Sequence, residues 1–392
     1  MSTIKVNRLE NTSTANGGID IDTDGHVQFD GLQLPTAGAL SNRNLIINGA
    51  MQVAQRSTSP QAVSGYGTVD RWQLGHSGTS GAVTQTQGST GGPVEFPTYY
   101  RITNSSTTGA ANGYRQIVQF IEAQNIRNSG WDYTNSSSYL TLSLKVRASV
   151  SQLYYGRIYT QDGTEKTFSF KVAKADGTAI DADTWTDITV SIPGDSTLTI
   201  DNNNGIGIGV VIVPHYGTDL TSSAVNLEEW FTYSSAQLSP DYATTWATTL
   251  NATFDITGVQ LEVGSKATPF EHRSFHDEQL RCMRYFQHFG NALASDDGVD
   301  DGFMMFHNWA TSAAYGAQKF IVPMRARPTM ASSGCTYYYG GSTDGSITLA
   351  LVGANTTNGE LRVTSVSGLT QGTSGWLRIE AAGAYIQFSA EL

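Results

Sequence analysis

The chain is 392 residues long, carries a formal net charge of −11, and has only 15% charged residues against 41 glycines. That length buries more than one core, and the turn-rich, charge-poor composition fits β-structure rather than a helical enzyme. The acidic balance, with no cluster of Lys and Arg, argues against nucleic acid or an anionic membrane as the main partner. Cys282 and Cys335 are too few for a disulfide framework and read as reduced, partly buried thiols. The opening MSTIKVNRLENTS has no apolar core segment, so no signal peptide is expected. The longest apolar run, Gly205 to Pro214, is too short to span a membrane and reads as a buried strand.

Residues 1–44 alternate apolar and polar positions in short runs: Ile4, Val6 and Leu9, then Ile19 and Ile21, then Val27 and Phe29, with Asp24-Gly25 as a hairpin turn. These strands are too short to bury a core within one chain. They are expected to form a β-hairpin stalk or docking segment, closed by the linker LQLPTAGAL, and to lie at an oligomer interface.

Residues 45–272 carry strand signals separated by polar turns. In YLTLSLKVRAS, Leu140, Leu142, Leu144 and Val146 share one face, as in a half-buried strand. LYYGRIYT, KTFSFKVAK, WTDITVSIPG and GIGIGVVIVP follow at sandwich spacing, while the segments around Trp230 and Trp246 read as loop or edge. FDITGVQLEVG closes the domain with Ile256, Val259 and Leu261 inside. The expected fold is a large antiparallel β-sandwich of jelly-roll type.

Residues 273–290 read as a short linking helix. Ser274 is its N-cap, Asp277 and Glu278 lie in the first turn, and Gly290 is the stop. Phe275, Cys282, Phe286 and Phe289 recur at helical spacing, widened by Leu280 and Met283. Leu280, Met283 and Phe286 therefore join the expected oligomer interface. Residues 291–392, with KFIVPMRARPTM, SITLALVG, ELRVTSV, GWLRIEA and AYIQFSAEL, read as a small C-terminal β-sandwich. The chain as a whole is expected to be all-β.

The strings NLIINGAMQVAQR, VDRW, FDITGVQLEVGSKATPFEHRSFHDEQLRCMRYF, PMRARPT and AYIQFSAEL resemble tail-fibre and receptor-binding proteins of tailed phages, from Asn44 onward. The likeness is most specific at GVQLEVGSKATPFEHR. It implies a module like the carbohydrate-binding jelly rolls followed by a small distal sandwich. It also implies an elongated homotrimer, made in the host cytoplasm and built into the virion, whose N-terminal segment meets another virion protein and whose tip meets a host surface glycan. A threefold arrangement would bury the short strands and repeat a weak sugar site. A head-decoration or collar fibre without receptor contact is the alternative, and a polysaccharide depolymerase a more distant one.

Sugar binding needs aromatic faces and hydrogen-bonding side chains. Tyr337, Tyr338 and Tyr339 cannot all face one core, which makes them the first candidates, with His307 and Trp309 beside them. Tyr99-Tyr100 and Tyr154-Tyr155 read as ordinary packing. Asp296, Asp297, Asp300 and Asp301 in SDDGVDDG offer hard oxygen ligands for a structural Ca²⁺, but without EF-hand spacing a solvated acidic loop is the preferred reading. Glu271-His272-Arg273 reads as a cap or salt link, and His276 and His288 are too far apart to share a metal. No other cofactor is expected. No GxSxG, HExxH or phosphate loop occurs, and no enzymatic activity is expected.

Overall fold

Apolar alternation along strand after strand folds the chain into antiparallel sheets with few helical turns, an all-β architecture. The computed structural model describes residues 8–10, 18–21, 27–29, 32–33, 41–78, 83–105, 107–290, 302–379 and 383–392. The chain divides into two compact units, Met1–Arg273 and Ser274–Leu392. The N-terminal strands Arg8–Glu10, Gly18–Ile21, Val27–Phe29 and Leu32–Gln33 pair in chain order as one four-stranded sheet. Its register sets Leu9, Ile19, Phe29 and Leu32 opposite one another, and Leu9 and Ile21 are exposed. Ile4 and Val6 lie outside the described residues.

The rest of the first unit is a two-sheet sandwich. The six-stranded sheet runs Trp230–Thr232, Lys166–Val172, Tyr154–Thr160, Ile206–Tyr216, Tyr114–Glu122, Gln73–Ser77. The five-stranded sheet runs Thr186–Pro193, Tyr139–Ala148, Ala252–Val263, Tyr99–Asn104, Val83–Gly88. Successive strands keep changing sheet, as in a jelly roll. Leu140, Leu142, Leu144 and Val146 face the core with Ile158, Phe168, Val210 and Ile256 from the opposing and neighbouring strands. Trp230 sits on an edge strand, whereas Trp246 lies in a short helical turn, wholly buried, its indole donating to the Thr253 carbonyl at 3.0 Å.

Three of the strings that carry the resemblance, NLIINGAMQVAQR, VDRW and GVQLEVGSKATPFEHR, lie against one another and clasp this sandwich shut. Asn44 Nδ2 donates to the Val259 carbonyl at 3.1 Å, and its Oδ1 accepts from the Ile46 and Leu261 amides at 3.0 and 3.1 Å. Asn48, at φ 60°, donates from its side chain to the carbonyls of Val53 and Asp70, while its own carbonyl accepts the Trp72 indole N–H at 3.1 Å. Buried Glu262 accepts from the Thr268 amide and hydroxyl at 2.8 and 2.6 Å. Glu271 accepts from the amides of Arg43 and Asn44 and pairs with Arg273 at 2.9 Å. Asn44, Asn48, Glu262 and Glu271 thus each satisfy backbone groups that are buried or partly buried at this junction.

In the second unit the helix occupies Phe275–Met283 only, which corrects the expectation of a helix running to Phe289. Its start is as read: Ser274 Oγ accepts from the Asp277 amide at 3.2 Å, and Asp277 and Glu278 fill the first turn. Phe286–Gly290 is instead a strand paired with Tyr385–Ser389, with Thr329–Ser333 on the far side. The aromatic run YFQHF suits a strand better than a helix once a partner is available. Gln287 settles it, for its buried amide donates to the Val322 carbonyl at 3.0 Å and accepts from the Ile321 amide at 3.0 Å. Phe286 is 1% exposed and therefore packed within this chain, not offered to a second copy; Leu280 and Met283 are half-buried and Phe275 is exposed.

A seven-stranded sheet completes the unit, in the order Ser342–Asp344, Thr336–Tyr339, Ser374–Arg378, Gly302–Ala310, Ala313–Lys319, Asn358–Thr364, Thr348–Ala354. Phe306, Tyr337, Leu361, Val363 and Leu377 on its inner face meet Ile386 and Phe388 of the three-stranded sheet. Cys335 joins this core, and burial pushes its thiol up to about 11.

Candidate functional site: the outer face of the seven-stranded sheet

Strand alternation separates the three tyrosines. Tyr337 is fully buried, which corrects its candidacy as a surface platform. Its ring lies over Gly375, where a Cβ would stand 2.5 Å from it, and its hydroxyl donates to Asn308 Oδ1 at 2.7 Å. Burial raises its pKa to about 12. Tyr339 stacks on it at 5.7 Å and donates to the Ser367 carbonyl. Both belong to the inner face, and their positions are set by core packing.

Tyr338 points the other way. It is directly opposite Trp376, which is directly opposite Met305, so three strands present Tyr, Trp and Met in one row. Along Gly302–Ala310 the same face carries His307 and Trp309, separated by buried Phe306 and Asn308. Trp309 is 63% exposed, Met305 57% and Trp376 45%, values that ordinary packing does not leave on three large side chains of one sheet face. His307, also exposed, sits across from Ser374 on one side and Tyr315 on the other. The Arg378 guanidinium caps the row, 4.1 Å above the Tyr338 ring.

The structure therefore brings Tyr338, His307 and Trp309 onto one surface and adds Met305, Trp376, Tyr315 and Arg378. Met305, Trp376 and Arg378 were readable only as alternation in FMMFHNWA and GWLRIE; their joining depends on pairing between segments about seventy residues apart in the sequence. Chemically, the exposed indole rings of Trp309 and Trp376 offer negative π-faces to polarised C–H groups, and His307 and Ser374 offer hydrogen bonds at the edge.

Other candidates have different places. Asp296, Asp297, Asp300 and Asp301 lie outside the described residues, and among those described no group of His, Cys, Asp and Glu could hold a metal. His288 stacks on Tyr385 at 5.7 Å. Tyr100 and Tyr154 are core residues, whereas the Tyr99 ring packs against the guanidinium groups of Arg101 and Arg147. Those two arginines hold buried Asp255 at 2.7 and 2.8 Å, a structural cluster on the outer side of the five-stranded sheet.

No protein-family model matches the chain, and no curated protein does. Solved structures similar to part of it include the enzymatically active domain of bacteriophage CBA120 tailspike protein 4, at 14% identity and TM-score 0.29, covering 56% of this chain and 21% of that one. Another is the N-terminal cellulose-binding domain of Cellulomonas fimi β-1,4-glucanase C, at 10% identity and TM-score 0.27, covering 55% and 100%. A third is a xylan-binding domain from Paenibacillus barcinonensis, at 9% identity and TM-score 0.27, covering 59% and 99%. The match spans about a fifth of the length of the tailspike structure.

Proposed function

We propose that this protein is a non-enzymatic, glycan-binding attachment protein of the phage tail-fibre type, carried on the virion as a homotrimer. One observation carries the reading: exposed Trp376, Met305, Trp309 and His307, with half-buried Tyr338 in the same row, lie on one face of a sheet whose other face packs against the core. The C–H face of a pyranose ring stacks on such rings, while its hydroxyls pair with polar groups at the rim. Each such site is shallow and weak alone, and three copies on one particle raise avidity without new contacts.

The N-terminal sheet supports the oligomeric part of the reading. Leu9 and Ile21 are exposed on it, and a four-stranded sheet with strands of two to four residues cannot bury apolar side chains by itself. Further copies of the chain, or another virion protein, would cover it. The resemblance of GVQLEVGSKATPFEHR to tail-fibre proteins adds the virion context, and the host surface glycan is the ligand assigned to the aromatic face. The test is saccharide binding by the full chain against a W309A/W376A variant. Both side chains are exposed, so the variant keeps its unfolding midpoint and loses affinity. Unchanged affinity would refute the assignment.

A further inference from the structure

We infer that the first unit holds a second saccharide site, a cleft over the outer face of its five-stranded sheet, selective for neutral oligosaccharides. This rests on the reading of the protein as glycan-binding, but on different residues in a different unit.

The cleft originates in one backbone irregularity. The Ala252–Val263 strand bulges between Thr257 and Gln260, and Gly258 in the bulge takes φ +60°. A Cβ there would lie 2.7 Å from the Phe96 ring, so only glycine lets Phe96 seat against the strand. Phe96 in turn anchors Phe270 edge-on at 4.9 Å and His272 in a stack at 5.5 Å. Phe96 is buried, Phe270 half-buried and His272 exposed, which makes the latter two the open part of an aromatic wall.

The floor is polar. Ser143 faces Thr189 across paired strands, and Lys145 faces Asp187 one step along the same face, while the intervening Leu144 and Ile188 point into the core. Lys145 Nζ lies 2.7 Å from Asp187 and 3.6 Å from Glu95. Partial burial works against the charge, yet the Asp187 hydrogen bond and the two carboxylates hold the Lys145 ammonium above its ordinary range. Asp187 and Glu95 are 78% and 64% exposed, which leaves acceptor lone pairs open to the cleft. The Ser143 and Thr189 hydroxyls make no hydrogen bond among the described residues.

The open cleft has a volume of about 610 Å³, within the roughly 300–1,000 Å³ typical of small-molecule sites and far larger than one ion needs. An aromatic wall over a floor of mixed donors and acceptors suits hydroxyls, which both donate and accept, on a ring with an apolar face. Two carboxylates against one ammonium leave the floor net negative, so a uronate or sulfate sugar is repelled. Hydroxyl-rich neutral hexose chains meet every requirement.

The test titrates the full-length W309A/W376A variant, in which the other face is disabled, with hexasaccharides of glucose, galactose and mannose and with an oligogalacturonate of equal length. Expected is saturable binding of a neutral hexasaccharide, at least about tenfold weaker in added F270A or T189E, with the oligogalacturonate bound at least about tenfold more weakly. T189E alters an exposed position and keeps the fold, so its unfolding midpoint separates blocked binding from misfolding. If the unmodified chain binds neutral saccharide but the W309A/W376A variant does not, the inference fails while the function stands. If no saccharide binds either chain, both fail. Tighter oligogalacturonate binding, or affinity unmoved by F270A and T189E, also overturns the inference.

Discussion

Replacing Glu271 by Ala tests whether the junction string GVQLEVGSKATPFEHR is a structural clasp. Its carboxylate accepts from the Arg43 amide at 3.2 Å and the Asn44 amide at 3.1 Å, and meets Arg273 at 2.9 Å. The two side chains are 12% and 7% exposed. Hydrogen bonds to a charged group contribute about 1.5–3 kcal/mol each, and the two amides are only partly buried, so a net loss of about 3 kcal/mol is expected. Over a unit of this size that is a drop of roughly 6–12 °C in its midpoint. The assay is urea and thermal unfolding followed by tryptophan fluorescence, with the second unit's transition unmoved. Glu271→Gln keeps one acceptor and loses less.

The pH dependence has a definite sign. Partial burial raises the Glu271 pKa, but the Asn44 amide, the Arg273 charge and the Arg43 amide outweigh it and hold the carboxyl below the ordinary range. A depressed folded value means the stabilisation is complete above the unfolded pKa of about 4.3 and is lost as pH falls through the folded value. E271A therefore flattens the acid limb of the stability curve. An unfolding free energy within about 0.5 kcal/mol of wild type at neutral pH would refute the clasp.

Two further predictions concern packing and assembly. Gly375→Ala places a Cβ 2.5 Å from the Tyr337 ring and should destabilise the second unit by about 1–3 kcal/mol, read as a lowered transition for that unit alone. Light scattering should give three times the 42.1 kDa chain mass, and L9D/I21D should shift it toward one; a monomer in the unmodified protein would sink the trimer.

The sandwich was legible where burial is one-sided. Leu140, Leu142, Leu144 and Val146 alternate because one face meets core and the other does not, and nothing distant is needed to see it. The Phe275 to Phe289 segment misled because its aromatic spacing fits a helix, while the partner that makes its second half a strand lies about a hundred residues on, at Tyr385–Ser389. Tyr337, Tyr338 and Tyr339 announced a division between two faces; which face was the inner one depended on Gly375 making room for Tyr337. The row from Tyr338 through Trp376 to Met305 exists only in the register of three strands, and the cleft behind Phe96 only through a glycine in a bulge. Neither leaves a local pattern in the sequence.

The central claim stands or falls on saccharide binding by the intact chain. Purified full-length protein applied to an array of bacterial surface glycans should bind saturably to a defined subset. W309A/W376A should weaken that binding at least about tenfold with both unfolding transitions in place. Absence of binding to every glycan, or wild-type affinity in the double variant, would contradict it.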